Sequence, residues 1–91
     1  MFRFKSSINA DYNRQGYIYF YSKLFRYLSK KDQEAIRSIC SQAGKEYAAA
    51  VFDAVTTDRS VCEICMNHNL SESTLLRSVR RYYEILARNI G

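Results

Sequence analysis

The chain contains no proline and only three glycines. Strand-rich domains usually need more turn punctuation than that, so helices are expected. No run of apolar residues is long enough to cross a bilayer, which removes a transmembrane span from consideration. The opening Met1-Phe2-Arg3-Phe4-Lys5 lacks the apolar block and cleavage site of a signal peptide. Cysteine is scarce and odd in number at three, which argues against a disulfide framework and for a reducing, cytoplasmic setting. There is one histidine, no glycine-rich phosphate loop and no supported Ser/His/Asp order. No catalytic site, cofactor, metal or small-molecule substrate is therefore expected.

What is present points to one small helical domain. The 91 residues suffice for a single core, and a hydrophobic content of 47% excludes a disordered chain. The formal net charge is +5, with a pI near 9.3, a balance that favours a polyanionic partner.

Along the chain, Phe2 and Phe4 alternate with Arg3 and Lys5, as in a short strand or an extended arm over residues 1–10. Asp11 is a plausible N-cap. Tyr17, Phe20, Tyr21, Leu24, Phe25 and Leu28 recur at helical spacing and predict a helix over 12–28 with these residues inward, although 17–21 also suits a strand. Ser29 begins a second helix, with Asp32 in a weak capping box. Ile36, Ile39, Cys40 and Ala43 mark its inner face. Gly44 is expected to end it in a left-handed conformation. Tyr47, Ala48, Val51, Phe52 and Val55 mark a third helix; one long bent helix across Gly44 is the alternative. Thr56 to Arg59 form a polar connection.

The most informative stretch is 60–79. Ser60 and Glu63 form a capping box for a short fourth helix. Asn69 is a turn residue that tolerates positive φ, and Ser71 caps a fifth helix running to about Arg88. Val61, Ile64, Cys65, Leu70, Leu75 and Val79 are apolar or small where two crossing helices need them. Leu75, Val79, Tyr82 and Leu86 continue the inward stripe.

This stretch resembles the tri-helical helix-turn-helix domains of bacterial and phage transcription regulators, and is similar to the DNA-binding end domain of sigma factors. The resemblance covers about residues 45–88, and its specificity comes from 60–79. Periodicity and caps give an all-α fold of about five helices, with an aromatic-rich N-terminal part (1–44) that resembles no family, and the resemblance makes residues 45–91 a C-terminal helix-turn-helix unit. It implies sequence-specific binding of double-stranded DNA in transcription regulation, with residues 72–81 in the major groove. The outward residues are then Ser71, Glu72, Ser73, Leu76, Arg77 and Arg80. Ser71, Ser73 and Thr74 can meet phosphates. Arg77 and Arg80 can reach guanine edges, and Leu76 suits a thymine methyl. Glu72 fits the positive end of the helix dipole better than a base contact. Arg81 and Arg88 suit phosphates or solvent. Without DNA, the arginines form a solvated face with an Arg80–Glu84 pair.

Other constellations compete. Cys62, Cys65 and His68, with Cys40 as a fourth ligand, invite a zinc site. Within one helix, however, Cys62 and His68 project about 120° apart. Tyr19, Tyr21, Lys23, Arg26 and Tyr27 could stack on single-stranded bases, although aromatics at helical spacing usually form core. The aromatic surplus also suggests a homodimer through the N-terminal helices. A helical module that binds a regulator or polymerase, and a phage DNA-packaging subunit that forms a ring, are the alternative functions.

Overall fold

A computed structural model describes residue 5 and residues 10–90, Ile90 by its backbone alone. The fold is all-α, with no strand among the described residues. Five helices follow in order: α1 (Tyr12–Lys23), α2 (Lys30–Gly44), α3 (Ala48–Thr56), α4 (Val61–His68) and α5 (Glu72–Ile90). Tight 3-10 turns at Phe25–Tyr27 and Lys45–Tyr47 join the first three. The strand or arm expected over residues 1–10 lies outside the described residues, save for Lys5 and Ala10.

The caps expected for α1 and α2 are in place. Asp11 accepts a hydrogen bond from the Arg14 amide at 2.8 Å, and Ser29 accepts one from Asp32 at 3.2 Å. Each satisfies an amide that the helix itself leaves without an acceptor.

The expectation for α1 needs correction in extent and in phase. The helix stops at Lys23, and the chain then tightens into the Phe25–Tyr27 turn. Its buried face is Gln15, Ile18 and Ser22, whereas Tyr17, Phe20 and Leu24 are half or more exposed. Only Tyr21, Phe25 and Leu28 of the expected set pack against the core, and then partly. Two polar residues displace the aromatics because each finds its hydrogen bonds inside. Gln15, 1% exposed, receives the Lys5 amide at 2.9 Å and donates to the Lys5 and Ala10 carbonyls at 2.8 and 2.9 Å. Ser22 shares a 2.7 Å hydrogen bond with the Tyr82 hydroxyl. A buried polar group with its partners satisfied carries little penalty.

The junction between α2 and α3 also departs from expectation. Gly44 stays in the right-handed region, at φ −101°, and the positive φ falls on Lys45, at 51°. The two helices are separate, not one bent rod. Gly44 serves close approach: a Cβ there would lie 2.9 Å from Cγ2 of Val51. Val51 is fully buried and β-branched, so it has little freedom to turn aside. Gly44→Ala should therefore lower stability by about 1–2 kcal/mol despite alanine's better helix propensity. Urea unfolding reads this directly; an alanine variant as stable as the parent would remove the close-packing role. Tyr47, expected inward, sits exposed in the Lys45–Tyr47 turn, and Ala50 takes the buried place beside Val51.

Helix α5 is the spine, and its inward stripe is the one expected. Tyr82, Leu86 and Ala87 join Ile18, Ile36, Ile39, Cys40, Ala43, Val51 and Val55 in the larger core between α1, α2, α3 and α5. Leu75 joins Ala50 and Ile64 in a smaller core under α3, α4 and α5. Val79 packs against both. The N-terminal half of α5 is thus braced by α3 and α4, and its C-terminal half is anchored by α1 and α2.

Burial makes the larger core sensitive to alkali. It pushes the Cys40 thiol from 9.0 up to about 12, with the nearby Arg37 charge opposing the shift only in part. Burial also raises the Tyr82 phenol above its ordinary 10.0, and the Ser22 hydrogen bond offsets only part of the rise. Both groups are neutral in the folded chain, whereas unfolding frees them to ionise. Their stabilising effect is complete below about pH 9 and is lost as pH rises towards the folded values, by up to about 1.4 kcal/mol per pH unit for each group. Urea midpoints should therefore fall from pH 9 to pH 11. Cys40→Ala should remove the earliest part of that fall, and a midpoint constant to pH 10.5 in the parent would contradict this.

Candidate nucleic-acid interface

The C-terminal three helices meet at two tight connections whose sequences explain them. Ser60 accepts a hydrogen bond from the Glu63 amide at 3.1 Å and opens α4. Asn69 closes α4 in the left-handed conformation, at φ 54° and ψ 53°. The Leu70 amide reaches back to the Cys65 carbonyl at 3.1 Å, and its side chain packs partly into the smaller core. Ser71 then opens α5, accepting from the Thr74 amide at 3.2 Å and donating to the Thr74 hydroxyl at 2.8 Å. Only the single residue pair Leu70–Ser71 separates the left-handed turn from the next helix, so α4 and α5 are held in a fixed relation.

Of the expected packing residues, Ile64 and Leu75 are buried, and Val61, Cys65, Leu70 and Val79 pack partly against the same cluster. Ser71, Glu72, Ser73, Leu76, Arg77, Arg80 and Arg81 are exposed, and Thr74 is half-buried beside its cap. At about 100° per residue, Ser73, Arg77, Arg80, Arg81 and Arg88 fall within an arc of about 100° opposite the buried stripe. Leu76, 43% exposed, lies about 40° beyond one edge of that arc, and Glu72 lies further round, towards Val79. Glu84 is on the same side, nearer the C-terminal end, and its carbonyl accepts from Nε of Arg88 at 3.4 Å. In the first turn of α5 the Thr74 amide is taken by Ser71, and the Glu72 and Ser73 amides have no intrahelical acceptor.

Sequence reasoning missed a clamp on this unit. One carboxylate oxygen of Asp53, on α3, meets His68 Nε2 at 2.9 Å and Arg59 Nη1 at 3.3 Å. Asp53 thereby ties α3 to the last turn of α4 and to the connecting loop. A separation of fifteen residues offers no periodic signal that could have revealed it. This pairing also gives His68 a partner other than metal. Cys40 lies in the core on α2, Cys62 is exposed on α4, and no group of three metal-ligating side chains comes together among the described residues.

Lys23 performs a similar service from α1. Its ammonium donates to the Thr57 carbonyl and, at 3.3 Å, to the Ala54 carbonyl, covering the C-terminal end of α3. Burial pulls its proton affinity below the ordinary lysine value, and Asp58, 3.9 Å away, opposes that shift. Cations at a helix C-terminus are favoured by the helix dipole.

No helix among the described residues is long and apolar enough to cross a membrane. No protein-family model, curated protein or solved structure matches the chain.

Proposed function

We propose that the chain is a sequence-specific double-stranded DNA-binding protein that regulates transcription and is not an enzyme. It would act in the cytoplasm of a bacterium, or there on behalf of a phage or mobile element. One observation carries this reading: the N-terminal half of α5 presents Ser73, Leu76, Arg77, Arg80 and Arg81 outward while α3 and α4 brace it from behind. One exposed helix face suits a major groove, which admits an α-helix. Arg77 and Arg80 would read guanine edges, and Leu76 a thymine methyl. Ser71, Ser73 and Thr74, with the first amides of α5, would hold phosphates. Glu72 favours the helix N-terminus through the dipole.

A selection on random duplex DNA at two salt concentrations tests this. The expected result is an enriched motif a few base pairs long and an affinity that falls steeply with salt. Recovery of unenriched sequence at both salt concentrations would reject it. A protein-docking module would instead need a broad apolar patch around Arg77 and Arg80. Leu76 is the one large exposed apolar side chain of residues 72–81, with Met66 exposed on α4.

The reading extends to a homodimer through α1, since readers of this kind commonly bind paired half-sites. Tyr12, Tyr17, Phe20 and Leu24 share an outer face with the uncharged Asn13 and Gly16. Their side chains expose roughly 500 Å² of mostly apolar surface, a large part of the ~800 Å² that each partner contributes to a standard interface. A second copy supplies the same uncharged aromatic face. Sedimentation should show a dimer that Phe20→Glu converts to monomer without loss of helicity. A parent chain that remains monomeric at high concentration would exclude the pairing.

A further inference from the structure

The charge of the chain is unevenly divided. Residues 1–44 carry eight Lys or Arg against three Asp or Glu, whereas residues 45–91 carry six of each. The unit that faces DNA in the reading above is neutral as a whole. The excess positive charge lies in the N-terminal part of the chain, and part of that excess surrounds one cleft.

This cleft has a volume of about 570 Å³ and lies between the Phe25–Tyr27 turn, α2 and the C-terminal end of α3. Lys23, Arg26, Tyr27, Arg37, Phe52 and Asp58 are among the residues that line it. Arg37 is held in place from below: its guanidinium lies 5.2 Å from the Phe25 ring centre and 4.8 Å from that of Phe52. Those two rings pack edge to face at 4.9 Å. The Gln33 side chain donates to the Phe25 carbonyl at 3.0 Å and fixes the turn that carries Arg26. Neither Arg26 nor Arg37 has an acidic partner among the described residues. The acid of the cleft, Asp58, points almost wholly into solvent and lies 3.9 Å from Lys23. Tyr27 stands 76% exposed at the rim, with its hydroxyl available as a donor. Two arginines without acidic partners, one of them stacked on aromatic rings, form a prepared set of donors for a phosphate.

The position of the cleft matters as much as its charge. Thr57 and Asp58 line it, and Ser60, two residues beyond Asp58, caps α4. Two residues span at most about 7 Å. In a helix-turn-helix complex the first helix of the pair crosses the DNA backbone, and here that helix is α4. We propose that this cleft is a phosphate-binding site for the backbone of the same duplex that α5 reads, with Arg26 and Arg37 as its phosphate ligands and Tyr27 as an auxiliary donor. The proposal rests on the DNA reading of α5. It adds a contact from the N-terminal part of the chain and gives two of its eight cations, Arg26 and Arg37, a ligand.

The experiment measures binding to the selected duplex, and to a scrambled duplex, across a range of salt. The proteins are the parent chain, Arg26→Gln, Arg37→Gln, Arg37→Lys and Arg77→Ala. Each glutamine variant should weaken binding to both duplexes several-fold and equally, and should lower the slope of log affinity against log salt by about one. Arg37→Lys should restore the slope, which a purely structural role for the stacked guanidinium would not produce. Arg77→Ala should narrow the gap between the two duplexes. Unchanged slopes in both glutamine variants, with Arg77→Ala still impaired, would overturn the cleft assignment alone. Failure of the parent chain to bind duplex would overturn both. If inorganic phosphate at matched ionic strength bound the parent chain but not Arg26→Gln, and left the duplex in place, the cleft would be a site for free phosphate and the duplex assignment would fall.

Discussion

Tyr82→Ala should cost about 3–5 kcal/mol of folding stability, the range expected when a large aromatic is removed from a core. Tyr82 is 0% exposed and stands where α5 meets α1 and α2. Its ring packs edge-on against Tyr83, with centres 5.9 Å apart. Its hydroxyl is the partner of the buried Ser22, so truncation opens a cavity and leaves a polar group without its bond. A domain of this size has a total stability of roughly 5–14 kcal/mol, so the variant should lie near the limit of folding at 37 °C. Tyr82→Phe separates the two contributions: it keeps the ring, strands only the Ser22 hydroxyl and should cost about 1–2 kcal/mol. Adding Ser22→Ala to Tyr82→Phe should cost less than the two single changes together, because both then remove the same bond. Urea unfolding of the four variants decides this; a loss below about 1 kcal/mol for Tyr82→Ala would show that α5 is anchored elsewhere.

The Arg77→Ala, Arg80→Ala double variant should lose about 2–6 kcal/mol of binding free energy for its preferred duplex, from two bidentate contacts of about 1–3 kcal/mol each. The thermal midpoint should barely move, because both side chains are exposed and neither contributes to a core cluster. The two observables therefore separate function from fold. Binding to an unrelated duplex should fall much less, since nonspecific affinity comes mainly from phosphate contacts. Fluorescence anisotropy on both duplexes, beside a thermal scan, makes the comparison. Equal affinity of the variant and the parent for the preferred site would exclude these arginines as readers.

The parts of the fold that follow local rules were legible in the sequence. Ser29, Ser60 and Ser71 cap helices because the residues after them offer amides in need of acceptors. Asn69 adopts the left-handed turn because its short polar side chain tolerates it. The stripe from Leu75 to Leu86 is apolar and strictly periodic, and it faces inward. What could not be read depended on partners distant in sequence. Hydrophobic spacing placed Tyr17, Phe20 and Leu24 inside, yet the inner face went to Gln15, Ile18 and Ser22. Gln15 is supported by the Lys5 backbone and Ser22 by a tyrosine sixty positions away, and periodicity carries no information about either. Gly44 carried the usual mark of a helix end, but a close approach to Val51 explains it better, and the unusual backbone angle moved to Lys45. The exposed arginines of α5 could be placed because the opposite face of that helix was so well marked. The Asp53 clamp on His68 and Arg59, and the aromatic seat of Arg37, required three-dimensional proximity.

A titration of the isotopically labelled full chain with its selected duplex, followed residue by residue through its amide resonances, tests the central claim most directly. The largest saturable shifts should fall on residues 71–81, with a second, salt-sensitive group around Arg26, Arg37 and Asp58 and little change at Gln15 or Ile18. Shifts concentrated on the aromatic outer face of α1, with residues 71–81 unmoved at saturation, would contradict it.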